Sequence, residues 1–507
     1  MKKILSIVVS AVILVACGDF DEINLNPDTP TKVTPDFLAA RIILKSTDTM
    51  NDRSAKWLFD DSWLMKSTSF TEHMEWYMYN KFERSNFEEY YSLTDGRKMI
   101  ELAEEDEFLP EGELKAYQGL NHFMRGLVFY KATMAMGDIP CSEALNGEID
   151  GNFSPAYDTQ EDVFAIILSE LEKASSLFSE ASTLKGDVVF AGNVDLWQRT
   201  TNSLILRVLN SLSKKTVVGT INVKSLFEET ALKPLMRNES DNYQRVYDAS
   251  KSAQWFPFYY EIQNYWPYPV MTSFFVDMLK GLNDYRLFYY MEPAEALTNN
   301  NESSFDAYSG IDATLEYGQI QAEFTKGVHS TINKRYHRVA QGEPSKIIAY
   351  SEIQFILAEA ALRGWSTPLS AKEHYENGVR SAMLFTANNT SEEYRHGRII
   401  DETYINEYLQ DAAKYDESKG LEQIMTQKYL ASFVQLPFNS YYDYRRTGYP
   451  KLPINPATNM NEEKDRLPVR WMYPSLEYSQ NREHVEAAIQ RQFGGTDTPN
   501  DLMWLLK

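Results

Sequence analysis

The sequence predicts an all-α fold in which tetratricopeptide-like helix pairs form a scaffold beside a loop-rich portion. Apolar residues recur with helical spacing over most of the 507 residues, and small residues recur among them. This helical pattern breaks off between about residues 238 and 345. Because no repeat of fixed period is visible, an irregular helical domain without repeats stays open as the alternative.

The clearest helix is predicted from Glu113 to Met136. Gly119 and Gly126 lie among its apolar residues, and small residues at a helix surface let a second helix approach closely. The segment Gly137–Pro140 then ends the helix. We therefore expect an inner helix of a stacked pair.

Other segments show the same helical spacing. Thr159 is predicted to cap a helix, because Asp162 three residues later can return the hydrogen bond. A helix follows from Val194 to Leu212. A later pair is predicted from Tyr350–Arg363 and Ser370–Met383.

The stretch from 238 to 345 is rich in aromatic residues, Asn, Gly and Ser. A long irregular segment inside a helical protein is usually functional or disordered. Its aromatic density argues against disorder. We expect a loop-rich insertion within a single domain that spans residues 32–507.

The N-terminus has the pattern of a lipoprotein signal. Two lysines precede an apolar run from Ile4 to Val15, which is too short to span a bilayer. The run leads into Leu14-Val15-Ala16-Cys17, which predicts cleavage before Cys17 and acylation of its side chain; an ordinary secretory signal is the alternative. We expect residues 1–16 to be removed and residues 17–31 to form a flexible tether.

The charge and the cysteines exclude several classes of function. Removal of Lys2 and Lys3 with the signal changes the formal net charge from −22 to −24. Such an acidic surface repels phosphate backbones and anionic lipids, so no binding of nucleic acid is expected. Cys141 is the only cysteine left once Cys17 is acylated, so no intramolecular disulfide can form. We expect Cys141 to be a small packed residue.

No catalytic motif stands out in the sequence. The seven histidines are scattered, and none has the spacing of a metal site. There is no phosphate-binding glycine loop and no nucleophile elbow. We therefore expect no metal site and no cofactor, while the 72 acidic residues leave a glycosidase pair of carboxylates open as an alternative.

Two aromatic clusters are the strongest candidates for a binding site. Trp76 and Tyr79 belong to the first; the second runs from Trp255 to Tyr268 and includes Tyr265 and Trp266. Sugar rings present flat C–H faces that stack on aromatic rings, and amide and basic side chains beside the clusters suit sugar hydroxyls. Five of these residues are predicted to supply part of a stacking platform for a neutral glycan: Trp76, Tyr79, Trp255, Tyr265 and Trp266. Core packing is the competing interpretation, since Trp and Tyr have large areas to bury.

A set of motifs runs through the chain and is densest in its C-terminal third. In chain order they are Gly137–Pro140, Asn202-Ser203-Leu204, Leu282-Asn283-Asp284, Ala358-Glu359-Ala360, Gln427–Phe433, Tyr444–Pro450 and Leu467–Pro474. In this order, and after a lipoprotein signal, they resemble the SusD/RagB family of cell-surface lipoproteins. The sequence departs from the family where Tyr285 replaces a frequent proline and Cys141 a common aromatic.

The resemblance implies four tetratricopeptide-like helix pairs and a variable, loop-rich portion that carries the ligand site. It implies a non-catalytic protein held at the surface of the outer membrane by its lipid alone. It also implies a SusC-like, TonB-dependent transporter as the partner that receives the captured oligosaccharide. Arg445, Arg446, Arg470 and Trp471 lie in motifs shared by binders of different ligands, so we expect them to hold the fold.

Two alternative functions remain open. The same fold binds peptides in the RagB branch of the family, and a groove with exposed backbone and apolar pockets would favour that ligand. A glycosidase would require two carboxylates that face each other across an open cleft. The aromatic clusters with their amide neighbours favour glycan binding.

Overall fold

The computed structural model describes residues 33–47, 56–260, 268–299 and 301–507. Its helices of eight or more residues are α1 Pro35–Ser46, α2 Lys56–Leu64, α3 Tyr91–Glu105, α4 Glu111–Met136, α5 Gln160–Glu180, α6 Val194–Ser211, α7 Val223–Thr230, α8 Ser273–Gly281, α9 Tyr317–Phe324, α10 Tyr350–Leu362, α11 Ala371–Asn388, α12 Glu402–Gln410, α13 Gly420–Ala431, α14 Asn439–Thr447 and α15 Arg482–Phe493. The predicted all-α fold is confirmed.

The remaining elements are short. The single-turn α-helices are Gly147–Asp150, Pro257–Tyr260, Leu287–Tyr290, Arg335–Arg338 and Glu477–Gln480. The 3₁₀ turns are Trp76–Tyr79, Glu88–Tyr90, Glu239–Asp241, Ser252–Gln254, Glu295–Leu297, Phe305–Ala307, Glu392–Tyr394, Glu417–Lys419 and Trp504–Leu506. The strands are β1 Thr68–Phe70, β2 Val217–Val218, β3 Ile221–Asn222, β4 Tyr243–Arg245, β5 Pro269–Met271 and β6 Ser345–Ile348.

The strands form three two-stranded antiparallel sheets, which the sequence analysis did not predict. They pair as β1–β5, β2–β3 and β4–β6. In the first sheet Thr68 lies opposite Met271 and Phe70 opposite Pro269. Strands of two to four residues show no clear alternation of apolar and polar side chains, so their sequence alone does not reveal them.

The α4–α5 pair makes its close contact at two small residues that the sequence analysis named, Gly119 and Gly126. A Cβ atom at Gly119 would lie 2.9 Å from the ring of Phe178, and one at Gly126 would lie 2.6 Å from Leu171. Both facing residues belong to α5, so the two glycines allow the close helix contact. Gly137, with φ of 102°, ends α4.

The α10–α11 pair repeats this arrangement. The side chain of Ser370 caps α11 by accepting a hydrogen bond from the backbone N–H of Glu373. In turn, the carboxylate of Glu373 accepts one from the backbone N–H of Ser370. Gly378 faces Phe355 of α10, and a Cβ atom there would lie 2.7 Å from the ring. The predicted pairing of these helices is confirmed, although α11 continues to Asn388 rather than ending at Met383.

The buried apolar side chains form two clusters. The first lies mainly among α1 and α3–α7, and the second among α2, α8 and α10–α14. Ala135 and Tyr442 contact both clusters, so the two cores adjoin. Cys141 is fully buried in the first cluster, and burial raises the pKa of its thiol.

Between residues 238 and 345 the described helices are short. The longest, α8 and α9, contain nine and eight residues. The domain boundaries remain predictions, and residues 1–16, Cys17 and the 17–31 segment lie outside the described residues. Within the described ranges, no helix is both long and apolar enough to cross a membrane.

Candidate functional site

The β1–β5 sheet brings the segment that leads into the first aromatic cluster next to Tyr268, the last residue of the second cluster. Thr71, which follows β1, donates its backbone N–H and its hydroxyl to the carbonyl oxygen of Tyr268, at 3.2 and 3.0 Å. The first cluster leaves the sheet at this end, and the second enters it there. Two segments that are almost 200 residues apart in the chain are therefore neighbours in space.

Trp76 is the exposed member of the first cluster. It begins a 3₁₀ turn, and 39% of its surface is accessible to solvent. The ammonium of Lys81 lies 3.8 Å from the centroid of the indole, which is a cation–π contact. Trp76 thus presents an aromatic surface with a positive charge beside it.

Tyr79 lies on the same turn but points into the protein. Only 5% of its surface is exposed, and its hydroxyl donates to the carbonyl oxygen of Leu315 at 3.0 Å. Burial raises the pKa of this hydroxyl. A buried ring offers no face for stacking, so Trp76 carries the candidate role for this turn.

Trp255 is half-buried and held by its own segment. Its indole N–H donates to the carbonyl oxygen of Ala249 at 3.0 Å, and its ring meets Tyr259 edge-on at 5.0 Å. The nearby Phe258 stacks on Phe59 of α2 at 4.6 Å. Helix α2 also packs against the Trp76 turn, so one helix supports both clusters.

Tyr265 and Trp266 lie outside the described residues, and their predicted role remains a prediction. The adjacent Tyr268 is half-buried, and its ring meets Phe70 edge-on at 5.8 Å. Its position beside β5 places an aromatic ring at the sheet end.

Helix α9 contributes two residues that the sequence analysis did not single out. The hydroxyl of Tyr317 donates to the carbonyl oxygen of Thr71 at 2.9 Å, and the amide of Gln321 donates to the same oxygen at 3.1 Å. Tyr317 is half-buried and Gln321 is exposed. Because the sequence around α9 has no aromatic cluster, its place at this site is visible only in the tertiary structure.

Charged groups complete this end of the sheet. His73 lies 2.8 Å from the carboxylate of Glu75. Burial, and then the carboxylate of Glu72, raise the pKa of Tyr317, which places Glu72 near that ring. We call Glu72, Trp76, Tyr268, Tyr317 and Gln321 the sheet-end surface. Its aromatic rings, amide and carboxylate supply the two kinds of contact that a sugar ring needs.

Apart from the sheet-end surface, a depression of about 500 Å³ lies between two loops. It is lined by Thr298, Asn301, Glu302, Ser303, Glu392, Glu393, His396 and Gly397. This lining has no Phe, Tyr or Trp side chain, so it lacks the large aromatic faces of the sheet-end surface. Across the described residues, no group of three or more His, Cys, Asp or Glu side chains is arranged to hold a metal ion.

The C-terminal motif residues support the Trp76 turn from inside. The indole N–H of Trp471 donates to the hydroxyl of Tyr77 at 2.8 Å, and its ring stacks on Phe82 at 4.4 Å. Arg470 is fully buried and forms an ion pair with Asp497 at 2.7 Å. These contacts agree with the structural role expected for the motif.

Arg445 and Arg446 also make internal contacts. Arg446 pairs with Glu359 and with Asp443, while Arg445 donates to the carbonyl oxygens of Met134 and Val469 at 2.9 and 2.8 Å. Although burial alone would raise the pKa of Glu359, Arg446 and then Arg363 lower it to about 2. The charged motif residues therefore connect helices rather than line the sheet end.

Comparison with protein families decides the relationship. A family model described as "SusD-like: starch-binding associating with outer membrane" matches residues 27–474. This chain belongs to the SusD-like family. The resemblance drawn from the sequence motifs is therefore confirmed. No curated protein sequence matches the chain.

Solved structures agree with this membership. A SusD homologue from Bacteroides fragilis is 40% identical, with a TM-score of 0.88, and the match covers 94% of this chain and all of that one. A candidate outer-membrane nutrient-binding protein from Bacteroides vulgatus is 32% identical over the same shares, with a TM-score of 0.83. A chitin-binding SusD homologue from Flavobacterium johnsoniae, 18% identical with a TM-score of 0.70 over 93% of this chain and 98% of that one, shares the fold.

Proposed function

We propose that this SusD-like protein is a non-catalytic, cell-surface lipoprotein that binds a neutral glycan at the sheet-end surface. The observation that carries the proposal is the exposed indole of Trp76, five residues after Thr71, whose own contacts bring Tyr268 and Tyr317 to the same end of the sheet. An aromatic surface that is already in place loses little conformational entropy when it binds a ring. Family membership supports a role in nutrient uptake at the outer membrane.

The glycan is delivered to a SusC-like, TonB-dependent barrel, and the acylated Cys17 holds the protein beside it. Support for this step comes from the family and from the lipoprotein signal in the sequence. Affinity purification after gentle detergent extraction is expected to recover the barrel with this protein. Recovery of the protein alone, with the barrel expressed, would contradict the partnership.

Trp76→Ala tests the binding surface. Loss of a stacked indole is expected to weaken glycan binding by about tenfold or more, at roughly 1.4 kcal/mol per decade. The melting temperature should change little, because Trp76 is 39% exposed. Calorimetry and a thermal melt of the soluble domain, with a glycan found by panel screening, give both numbers.

Phe108→Ala is the matched control. Phe108 is 93% exposed in the loop between α3 and α4, so its loss removes an aromatic ring without touching the sheet end. The Phe108→Ala variant is expected to bind the glycan with the affinity of the unchanged protein. The proposal fails for Trp76 if Trp76→Ala lowers the melting temperature sharply and keeps the affinity.

The same experiment extends to the other predicted aromatic residues. Trp266→Ala is expected to behave like Trp76→Ala. Trp255→Ala is expected to lose glycan affinity and some stability, since the Trp255 indole N–H also donates a hydrogen bond to the carbonyl oxygen of Ala249. A panel that includes peptides tests the alternative ligand, because binding of peptides alone would replace the glycan in this proposal.

A further inference from the structure

Lys66 is a buried lysine directly behind the Trp76 turn. It follows α2 in a left-handed conformation, with φ of 61°, and only 2% of its surface is exposed. Its backbone is fixed on two sides: its N–H donates to the carbonyl oxygen of Trp63 at 3.3 Å, and the hydroxyl of Thr272 donates to its carbonyl oxygen. The side chain therefore starts from a well-defined point in the core.

The amine of Lys66 reaches the turn that carries Trp76. It donates to the carbonyl oxygen of Met78 at 2.6 Å and to the side-chain oxygen of Asn80 at 2.9 Å. Asn80 ends the turn in a left-handed conformation, with φ of 56°. The backbone N–H of Lys81, the next residue, donates a hydrogen bond to the carbonyl oxygen of Trp76 at 3.1 Å. The Lys66 amine thus joins the third residue of the turn, Met78, to Asn80, which ends it.

This amine is costly for the fold. Within the described residues, no carboxylate lies at ion-pair distance from Lys66, and burial lowers its pKa to about 7. A buried charge without an opposite charge is unfavourable, and an apolar side chain of similar volume often stabilises a core better. Burial alone therefore does not account for a lysine at this position, and the contacts that do are its two hydrogen bonds to the turn.

We propose that Lys66 is a positioning residue, whose amine fixes the Trp76 turn in the orientation that presents the indole to the ligand. This inference rests on the proposed glycan-binding function. Lys66 does not touch the ligand; it acts through Met78 and Asn80 on Trp76. Without the amine the turn loses two hydrogen bonds, and the indole samples other orientations.

Lys66→Met tests this role, because methionine keeps the length of the side chain and removes the donor. Glycan affinity is expected to fall by about fivefold or more, the equivalent of at least one net hydrogen bond. In a Trp76→Ala background the same change should cause no further loss, since Lys66 acts only through the indole. A residue with a merely structural role would lower affinity equally in both backgrounds.

Lys346→Met is the matched control. Lys346 lies in β6, is 1% exposed, and its ammonium lies 4.0 Å from the centroid of Phe385. Its replacement also removes a buried amine, but it leaves the Trp76 turn intact. We expect the affinity of Lys346→Met to be unchanged.

Hydrogen exchange of the peptide that contains residues 76–81 gives a readout without ligand. Lys66→Met is expected to speed exchange there, and Lys346→Met is not. Unchanged exchange would overturn the anchoring role, and faster exchange with unchanged glycan affinity would overturn the positioning role. If the unchanged protein binds no glycan, both the proposed function and the positioning role are wrong. The exchange experiment uses no ligand, so it still shows whether Lys66 anchors the turn.

Discussion

At the scale of single residues, Asp61 of α2 is a buried acid with an unusual environment. It is 6% exposed, and among the described residues its Oδ1 has no hydrogen-bond partner. Burial raises the pKa of Asp61 from 3.8 to about 8, with a further contribution from Asp60, while a hydrogen bond from the backbone of Phe438 opposes the shift. We therefore expect the folded protein to hold this proton at neutral pH.

Asp61→Asn is expected to stabilise the protein increasingly as pH rises. In the unfolded chain the acid ionises near pH 4, so folding must take up a proton between pH 4 and 8. The stability of the unchanged protein should fall through this window by at most about 1.4 kcal/mol per pH unit relative to Asp61→Asn. Urea unfolding at pH 5, 6.5 and 8 measures the difference.

An exposed acid provides the comparison for Asp61. Glu104→Gln, on the solvent side of α3, should follow the pH profile of the unchanged protein. A stability difference between Asp61→Asn and the unchanged protein that stays constant with pH would show that Asp61 is ionised when folded.

At the scale of elements, the contact between α4 and α5 depends on glycine. Gly126→Ala would place a Cβ atom 2.6 Å from Cδ2 and 2.7 Å from Cγ of Leu171, which is fully buried. The helices must separate or Leu171 must move, at a typical cost of about 1–3 kcal/mol for overpacking. We expect lower stability in denaturant unfolding, despite the better helix propensity of alanine.

Gly281→Ala separates packing from propensity. Gly281 ends α8, and nothing lies within 4 Å of the Cβ atom that alanine would add. This change should be neutral or stabilising by up to about 1 kcal/mol. Equal effects at positions 126 and 281 would mean that the α4–α5 contact tolerates a methyl group.

The helix pairs were the part of the fold most accessible from sequence. The apolar periodicity of α4 and α5 and the glycines of α4 can be read directly from the sequence, because a helix repeats its contacts every three to four residues. The β1–β5 pairing was missed. It joins Thr71 to Tyr268 across 197 residues, and no local pattern specifies such a contact.

At the scale of the whole molecule, anchoring and binding are assigned to different parts of the chain. The predicted anchor, Cys17, precedes the described residues, whereas the sheet-end surface lies where α2 and α9 meet the β1–β5 sheet. Two adjoining cores support this arrangement. Membrane attachment can therefore be tested without changing any residue of the proposed glycan site.

Cys17→Ala is expected to release the protein from the membrane fraction and to leave glycan affinity unchanged. In the lipoprotein interpretation the acyl chains on Cys17 supply the membrane affinity, and no helix of the described residues is long and apolar enough to cross a membrane. Cell fractionation measures the release, and mass spectrometry of the unchanged protein should find acyl chains on Cys17. An unmodified Cys17 in the native protein would contradict the lipoprotein interpretation.

The sequence by itself determined the helical class of this protein, the starts of α5 and α11, and the family, because caps, periodicity and motifs are local features. Only the tertiary structure decided which aromatic residues are accessible. Trp76 and Tyr79 are three residues apart in similar surroundings, yet one is 39% and the other 5% exposed. Tyr79 is buried because it reaches Leu315, and Tyr317 joins the site because it reaches Thr71. Burial depends on contacts between segments distant in the chain, and a short turn has no periodicity that could reveal them.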